Sequence, residues 1–212
     1  MKRRHVAVGL FCLIFLGCSP ESGETAGLQR AATQASQVVE GADEGNTAIR
    51  AVTAPRIWIT EPFADGVIIV ATYEAEANGH LVDVSAVWYL RHQAAGWFFS
   101  GGATRTQLKG KPKPALEFLR GNSDTGGHRA YAGGLVHDPT IRQVAITYRI
   151  GNQEIREVVP VQHGGYVSAK LGAIFVIQVD ALDEQGNILY SEVASINACP
   201  VQGVPEGATR HP

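Results

Sequence analysis

A mainly β fold, antiparallel and sandwich-like, is predicted by three features of this 212-residue sequence. Short apolar runs rich in Val, Ile, Tyr, Phe and Trp recur at spacings of about eight to twelve residues, as sandwich strands do. Gly, Asn, Asp and Pro separate those runs at points where a tight turn is needed. No alternation of helical and strand patterns argues for a parallel sheet, and no internal repeat argues for a solenoid.

The strands follow in order. RIWIT (56–60) is broken by Pro62 and Asp65-Gly66 and leads into VIIVATYEAEA (67–77). Asn78-Gly79 then precedes LVDVSAVWYLRH (81–92). Asn-Gly between β-prone runs predicts a type I′ hairpin, because both central residues must take positive φ. GWFFSGG (96–102) supplies the next strand. In the second half, QVAITYRI (143–150) and QEIREVVPV (153–161) flank Gly151-Asn152. Val144, Ile146, Tyr148 and Ile150 alternate with Ala145, Thr147 and Arg149, the period of a strand buried on one face. IFVIQVDAL (174–182) and ILYSEVAS (188–195) form the last pair.

The N-terminus has a different character. MKRRHVAVGLFCLIFLGCSP places Lys2, Arg3 and Arg4 ahead of an apolar run from Val6 to Leu16. Such a run is too short to span a bilayer and has the layout of a secretory signal peptide. Leu16-Gly17-Cys18 resembles a lipobox, in which the cysteine is diacylated and becomes the first mature residue. Phe15 departs from the usual Leu of that motif. The expectation is a leader over 1–17, a lipid anchor at Cys18 and residence on the extracytoplasmic face of the cell membrane. From Ser19 to Arg50 the chain is rich in Ala, Gly, Ser, Thr and Glu and carries no aromatic residue. This composition buries little apolar surface, so 18–50 reads as the lipidated cysteine and a flexible tether. Leu28, Ala32, Ala35 and Val39 allow a short helix within about 26–40. Residues 51–198 read as the β-rich domain, with 51–120 and 121–198 as its two halves, and 199–212 as a disordered tail.

Charge and cysteine usage narrow the classes of function. Beyond the leader, 15 Lys and Arg face 20 Asp and Glu, a net charge of −5. That balance offers no general field for nucleic acid or for an anionic membrane. Of the three cysteines, Cys12 lies in the leader and Cys18 is the lipidation candidate, leaving Cys199 without an internal partner. Stability must come from a core, which about 150 residues can supply.

Several short stretches resemble, in the same order, a group of uncharacterised secreted lipoproteins of spore-forming Gram-positive bacteria. They are Gly66-Val67-Ile68-Ile69, Gly96-Trp97-Phe98-Phe99-Ser100-Gly101-Gly102, Tyr131-Ala132-Gly133-Gly134-Leu135, Pro139-Thr140-Ile141-Arg142-Gln143-Val144, and Ala181-Leu182-Asp183-Glu184-Gln185-Gly186-Asn187-Ile188. The resemblance implies a layout rather than a reaction: an N-terminal half ending in the GW-x-x-SGG strand and an immunoglobulin-like C-terminal half.

Candidate chemistry is sparse. Asp124-Thr125-Gly126 matches the triplet of aspartic proteases, but Asn122 and Ser123 replace the apolar residues that normally precede it. The chain holds no second Asp-Thr-Gly to share the proton. Gly121, Asn122, Ser123, Gly126 and Gly127 instead suit a surface loop. His137, Asp138 and His163 are a conceivable metal set, yet no zinc spacing supports them, and Ser123 and Ser168 lack a nucleophile elbow. The sequence thus assigns no catalytic residue, metal or cofactor. Binding candidates are the aromatic residues Trp88, Trp97 and Phe99 and the basic residues Lys109, Lys111 and Lys113. Flat rings match sugar faces, and a run of lysines suits anionic headgroups or polymers. In VWYL and WFFS, neighbouring side chains must point to opposite sides of a sheet, so one layer cannot cover both. The expected function is a noncatalytic binding or structural β-domain of the cell envelope, with a cell-envelope polymer or a protein as partner. The alternative is a hydrolase or metal site assembled from distant residues.

Overall fold

The computed structural model describes residues 21–38, 49–123 and 128–194. Among them, one helix and twelve strands form three antiparallel sheets. The first sheet contains β1 (Ile49–Ala51), β2 (Arg56–Phe63), β3 (Gly66–Ala77), β4 (His80–Gln93) and β5 (Gly96–Leu108). Its order is β1-β3-β4-β5, with β2 also paired to β3. The turn residues predicted from sequence do their work: Asn78 and Gly79 take φ of 52° and 75° between Ala77 and His80. Two-residue connections also close β2–β3, where Phe63 pairs with Gly66, and β4–β5, where Gln93 pairs with Gly96.

The C-terminal half is a seven-strand sandwich. Its inner sheet has the order β10-β7-β6, formed by β6 (Leu119–Ser123), β7 (Arg129–Leu135) and β10 (Gly165–Leu171). Its outer sheet has the order β12-β11-β8-β9, formed by β8 (Gln143–Ile150), β9 (Gln153–Pro160), β11 (Phe175–Leu182) and β12 (Ile188–Val193). The chain crosses between sheets at β7–β8, β9–β10 and β10–β11, as in an immunoglobulin-type sandwich. This half begins with β6 at Leu119.

Strands β6, β7 and β10 escape a reading by β-propensity because small or turn-prone residues interrupt LRGNS, RAYAGGL and GYVSAKL. The small residues are needed for close approach. A Cβ at Gly134 would sit 1.9 Å from the carbonyl oxygen of Glu117. Residues 124–127, which include the Asp-Thr-Gly triplet, lie outside the described residues, as do Cys18, Cys199 and the expected tail.

The layers stack as helix, first sheet, inner sheet and outer sheet, with continuous apolar contact between neighbours. Helix α1 (Glu21–Val38) packs on the first sheet through Leu28, Ala31, Ala32 and Ala35. Their spacing of three and four residues forms one stripe, and the alanines let helix and sheet approach closely. The flexible tether is therefore corrected over residues 21–38: the short helix allowed within about 26–40 is present, starts earlier at Glu21 and is built into the core. Composition underestimated it because a narrow Ala stripe buries well against a sheet while contributing little hydropathy. On the opposite face of the first sheet, Ile68, Val70, Val87 and Tyr89 meet Leu119, Tyr131 and Leu135. A third cluster fills the sandwich, with Tyr148, Tyr166, Ile146 and Val179 among its members.

This layering answers the VWYL question. Trp88 faces α1 and Tyr89 faces the inner sheet, and both are fully buried. Gly102, in the GW-x-x-SGG strand, pairs with Trp88, and a Cβ there would lie 2.4 Å from Trp88 Cδ1. The motif's glycine makes room for the indole.

Candidate functional site

The start of β5, just after the β4–β5 turn at one end of the first sheet, carries aromatic residues that the core covers only in part. Trp97 and Phe99 point toward α1, and Phe98 points away with 40% of its surface exposed. Phe99 is held edge-on to Trp88 at 6.4 Å, and Trp88 in turn contacts Tyr73 at 5.8 Å. Trp97 is set further out, edge-on to His92 at 4.8 Å. Across from it, Gly27 of α1 approaches so closely that a Cβ would lie 3.1 Å from Trp97 Cδ1. Between helix and turn is an open hollow of about 640 Å³ lined by Glu24, Gly27, Arg30, Gln34, His92 and Trp97. A second groove, about 790 Å³, runs along the other flank of α1 beside Leu28, Ile57 and Pro62.

The sequence-predicted residues separate into three environments. Trp88 is fully buried, so the expectation that it belongs to a binding platform is corrected: two covering layers leave it no surface. Trp97 and Phe99 share the helix-facing side of β5, and only Trp97 reaches the hollow. Lys109, Lys111 and Lys113 sit at the other end of the first sheet. Lys109 bonds Glu74, and Lys113 lies 3.6 Å from Asp83. Gln107 Nε2 donates to the carbonyl of Pro112 at 2.6 Å, pinning the loop between them. Two of the three basic charges therefore have acidic partners, and Lys111 is exposed.

The most connected polar group is one that sequence reasoning missed. Asp65, in the β2–β3 turn, accepts hydrogen bonds from the Tyr89 hydroxyl, from Arg91 Nε at 2.7 Å and from Arg129 Nη1 at 3.0 Å. Arg129 Nη1 also donates to the Tyr89 hydroxyl oxygen at 2.6 Å. The bond from Tyr89, followed by that from Arg91, holds the Asp65 carboxyl well below the usual carboxylate range. Burial, aided by the bond to Asp65, pushes the Tyr89 phenol up to about 12. The four residues come from two strands and a turn, so no local spacing announces them. They bolt the first sheet to the C-terminal sandwich.

Other polar groups are also structural. Glu117 is buried, with Oε1 2.9 Å from His137 Nε2. Asp138 accepts from Thr140 and Tyr190, so the conceivable set of His137, Asp138 and His163 is engaged elsewhere at two of its members. Ser168 accepts a hydrogen bond from the buried Tyr148 hydroxyl at 2.7 Å. A cleft of about 280 Å³ between β2, β9 and β10 contains Glu61 and Glu157, and Glu157 accepts from Lys170. Among the described residues, no three His, Cys, Asp or Glu side chains converge to hold a metal ion, and no helix is long and apolar enough to cross a membrane. The chain matches no protein-family model, no curated protein and no solved structure.

Proposed function

We propose that the protein is a membrane-anchored extracytoplasmic lipoprotein, fixed through Cys18, whose β-domain binds an envelope component without catalysis. The aromatic hollow beside Trp97 is its contact site. The observation that carries this reading is the leader MKRRHVAVGLFCLIFLGC, which ends three residues ahead of a helix docked on the domain. A diacylated cysteine gives stable attachment, since each buried methylene contributes about 0.8 kcal/mol. The resemblance to secreted lipoproteins points the same way. The hollow supports a binding role because it pairs the partly exposed Trp97 with polar groups from α1, the mixture that orients a ligand without reacting with it.

The test is metabolic labelling of the full chain with an alkynyl fatty acid. Label is expected on the wild type in the membrane fraction. Cys18→Ala should abolish both label and membrane retention. Recovery of the wild type from the cytosol with Met1 attached overturns the reading.

A further inference from the structure

We propose that the β4–β5 tip, with Phe98 and Trp97, seats in the headgroup layer of the membrane that carries the Cys18 anchor. The partner of the aromatic hollow is then a lipid surface. This inference rests on the anchoring reading above and names the contact made by the same site.

The argument starts from chain length. Cys18 and Glu21 are three residues apart, a reach of about 10 Å at full extension. Helix α1 cannot drift from the domain, because Leu28, Ala31, Ala32 and Ala35 are buried in its core. Its starting end is fixed relative to the sheet. Glu24 borders Ala95 and Trp97 on one side and Pro62 and Val67 on the other. Further along, Gln29 Nε2 donates to Pro55 O at 2.7 Å, and Ile49 of β1 joins the core cluster that holds Ala32 and Ala35. The helix therefore runs from the β4–β5 turn toward the β3–β4 turn. An anchor placed just ahead of Glu21 lies at the aromatic end. The lysine loop lies at the opposite end: Val82 pairs with Leu108 there while Gln93 pairs with Gly96 at the tip, about 35 Å of strand away.

The chemistry of the tip suits an interface. Trp and its polar-edged ring favour the boundary between headgroups and hydrocarbon, and Phe98 adds an exposed apolar side chain beside it. The nearby charges are mixed in sign, with Glu24 and Arg30 lining the hollow and Asp65 bonded to Arg91 and Arg129 beside it. Such a mixed face carries no large net field, so its seating depends only weakly on salt. Two aromatic residues bind a bilayer too weakly to recruit a free domain. Beside a covalent lipid their contact becomes intramolecular, at an effective concentration in the millimolar range or above, and weak contacts are then populated. The short link from anchor to helix keeps the aromatic end at the surface rather than out on a leash, with the lysine loop directed away from it.

The test uses full chain purified from membranes with Cys199→Ser, so that an acylated Cys18 leaves no free thiol. Phe98→Cys and Lys111→Cys versions, labelled with bimane, are reconstituted into phosphatidylcholine and phosphatidylglycerol vesicles containing a headgroup nitroxide lipid. The probe at position 98 should be quenched several-fold more than that at 111, equally at low and high salt. Equal quenching at both positions, or stronger quenching at 111, overturns the inference. Amide exchange on the unsubstituted chain gives an independent reading, with 94–98 slowed on vesicles and 109–113 unchanged. Mass analysis of the N-terminal peptide separates the two failures. An unacylated Cys18 sinks the anchoring reading and this inference with it, whereas an acylated chain with an unquenched tip sinks the inference alone.

Discussion

The first sheet and the outer sheet of the C-terminal sandwich are built from similar residues but covered differently. The first lies between α1 and the inner sheet, and Val67, Ile68, Ile69, Val70 and Ala71 are buried in succession. The outer sheet is covered on one side, and its β9 strand alternates between exposed and partly buried positions along QEIREVVP. A strand with two covered faces has no polar position, so its sequence reads as a continuous apolar run. The teaching is that a run such as VIIV or VWYL reports the number of neighbouring layers, not only the presence of a strand.

The sharpest way to break this comparison is to truncate one side chain in each of the two sheets. Trp88→Ala, under two layers, should cost about 3–5 kcal/mol in denaturant unfolding of the mature chain. Val158→Ala on β9, where the side chain is 50% exposed, should stay within about 0.5 kcal/mol. A comparable loss for Val158→Ala would mean that the outer face is covered in solution by another molecule. A third substitution asks whether α1 counts as a layer. Leu28→Ala should cost about 2–3 kcal/mol, somewhat less than the indole because one smaller side chain is truncated. An unchanged midpoint would mean that the helix is not part of the cooperative core.

Much of the fold was legible because hairpin strands announce themselves locally. Asn78-Gly79 and Gly151-Asn152 fix turns, and the alternation of Val144, Ile146 and Tyr148 fixes a face. Helix α1 was harder to read, since Ala31, Ala32 and Ala35 carry almost no hydropathy and gain their value only from close contact with a sheet. Strands β7 and β10 were hidden for a related reason: Gly133 makes room for Val70 and Val87 of the first sheet, and Gly134 and Gly165 allow close backbone approach within the inner sheet, at a cost in propensity. For the candidate site, the aromatic runs were visible, but which ring would be exposed depended on layer count. The Asp65, Tyr89, Arg91 and Arg129 cluster was beyond sequence reasoning altogether, because its partners are up to 64 residues apart.

That cluster gives the gentlest test, since it joins the doubly covered sheet to its neighbour through polar rather than apolar contact. Asp65 is held ionised in the fold by Tyr89 and the two arginines, so its folded pKa lies below its unfolded one. The unfolded chain then binds more protons as acid is added, and the stabilisation is complete above the ordinary carboxylate range near pH 4 and lost as pH falls toward the folded pKa. The Tyr89 phenol, raised to about 12, stays a donor throughout this window. Asp65→Asn removes the charge and keeps the shape. Because the Asp65 side chain is 39% exposed, solvent screening should hold its cost at neutral pH below that of Leu28→Ala. The difference between wild type and variant should be constant from about pH 7 to 5 and shrink steadily below about pH 4. A gap that persists undiminished in strong acid would assign the joint to shape alone, with Arg129 satisfied by the Tyr89 hydroxyl and the carboxylate charge contributing nothing.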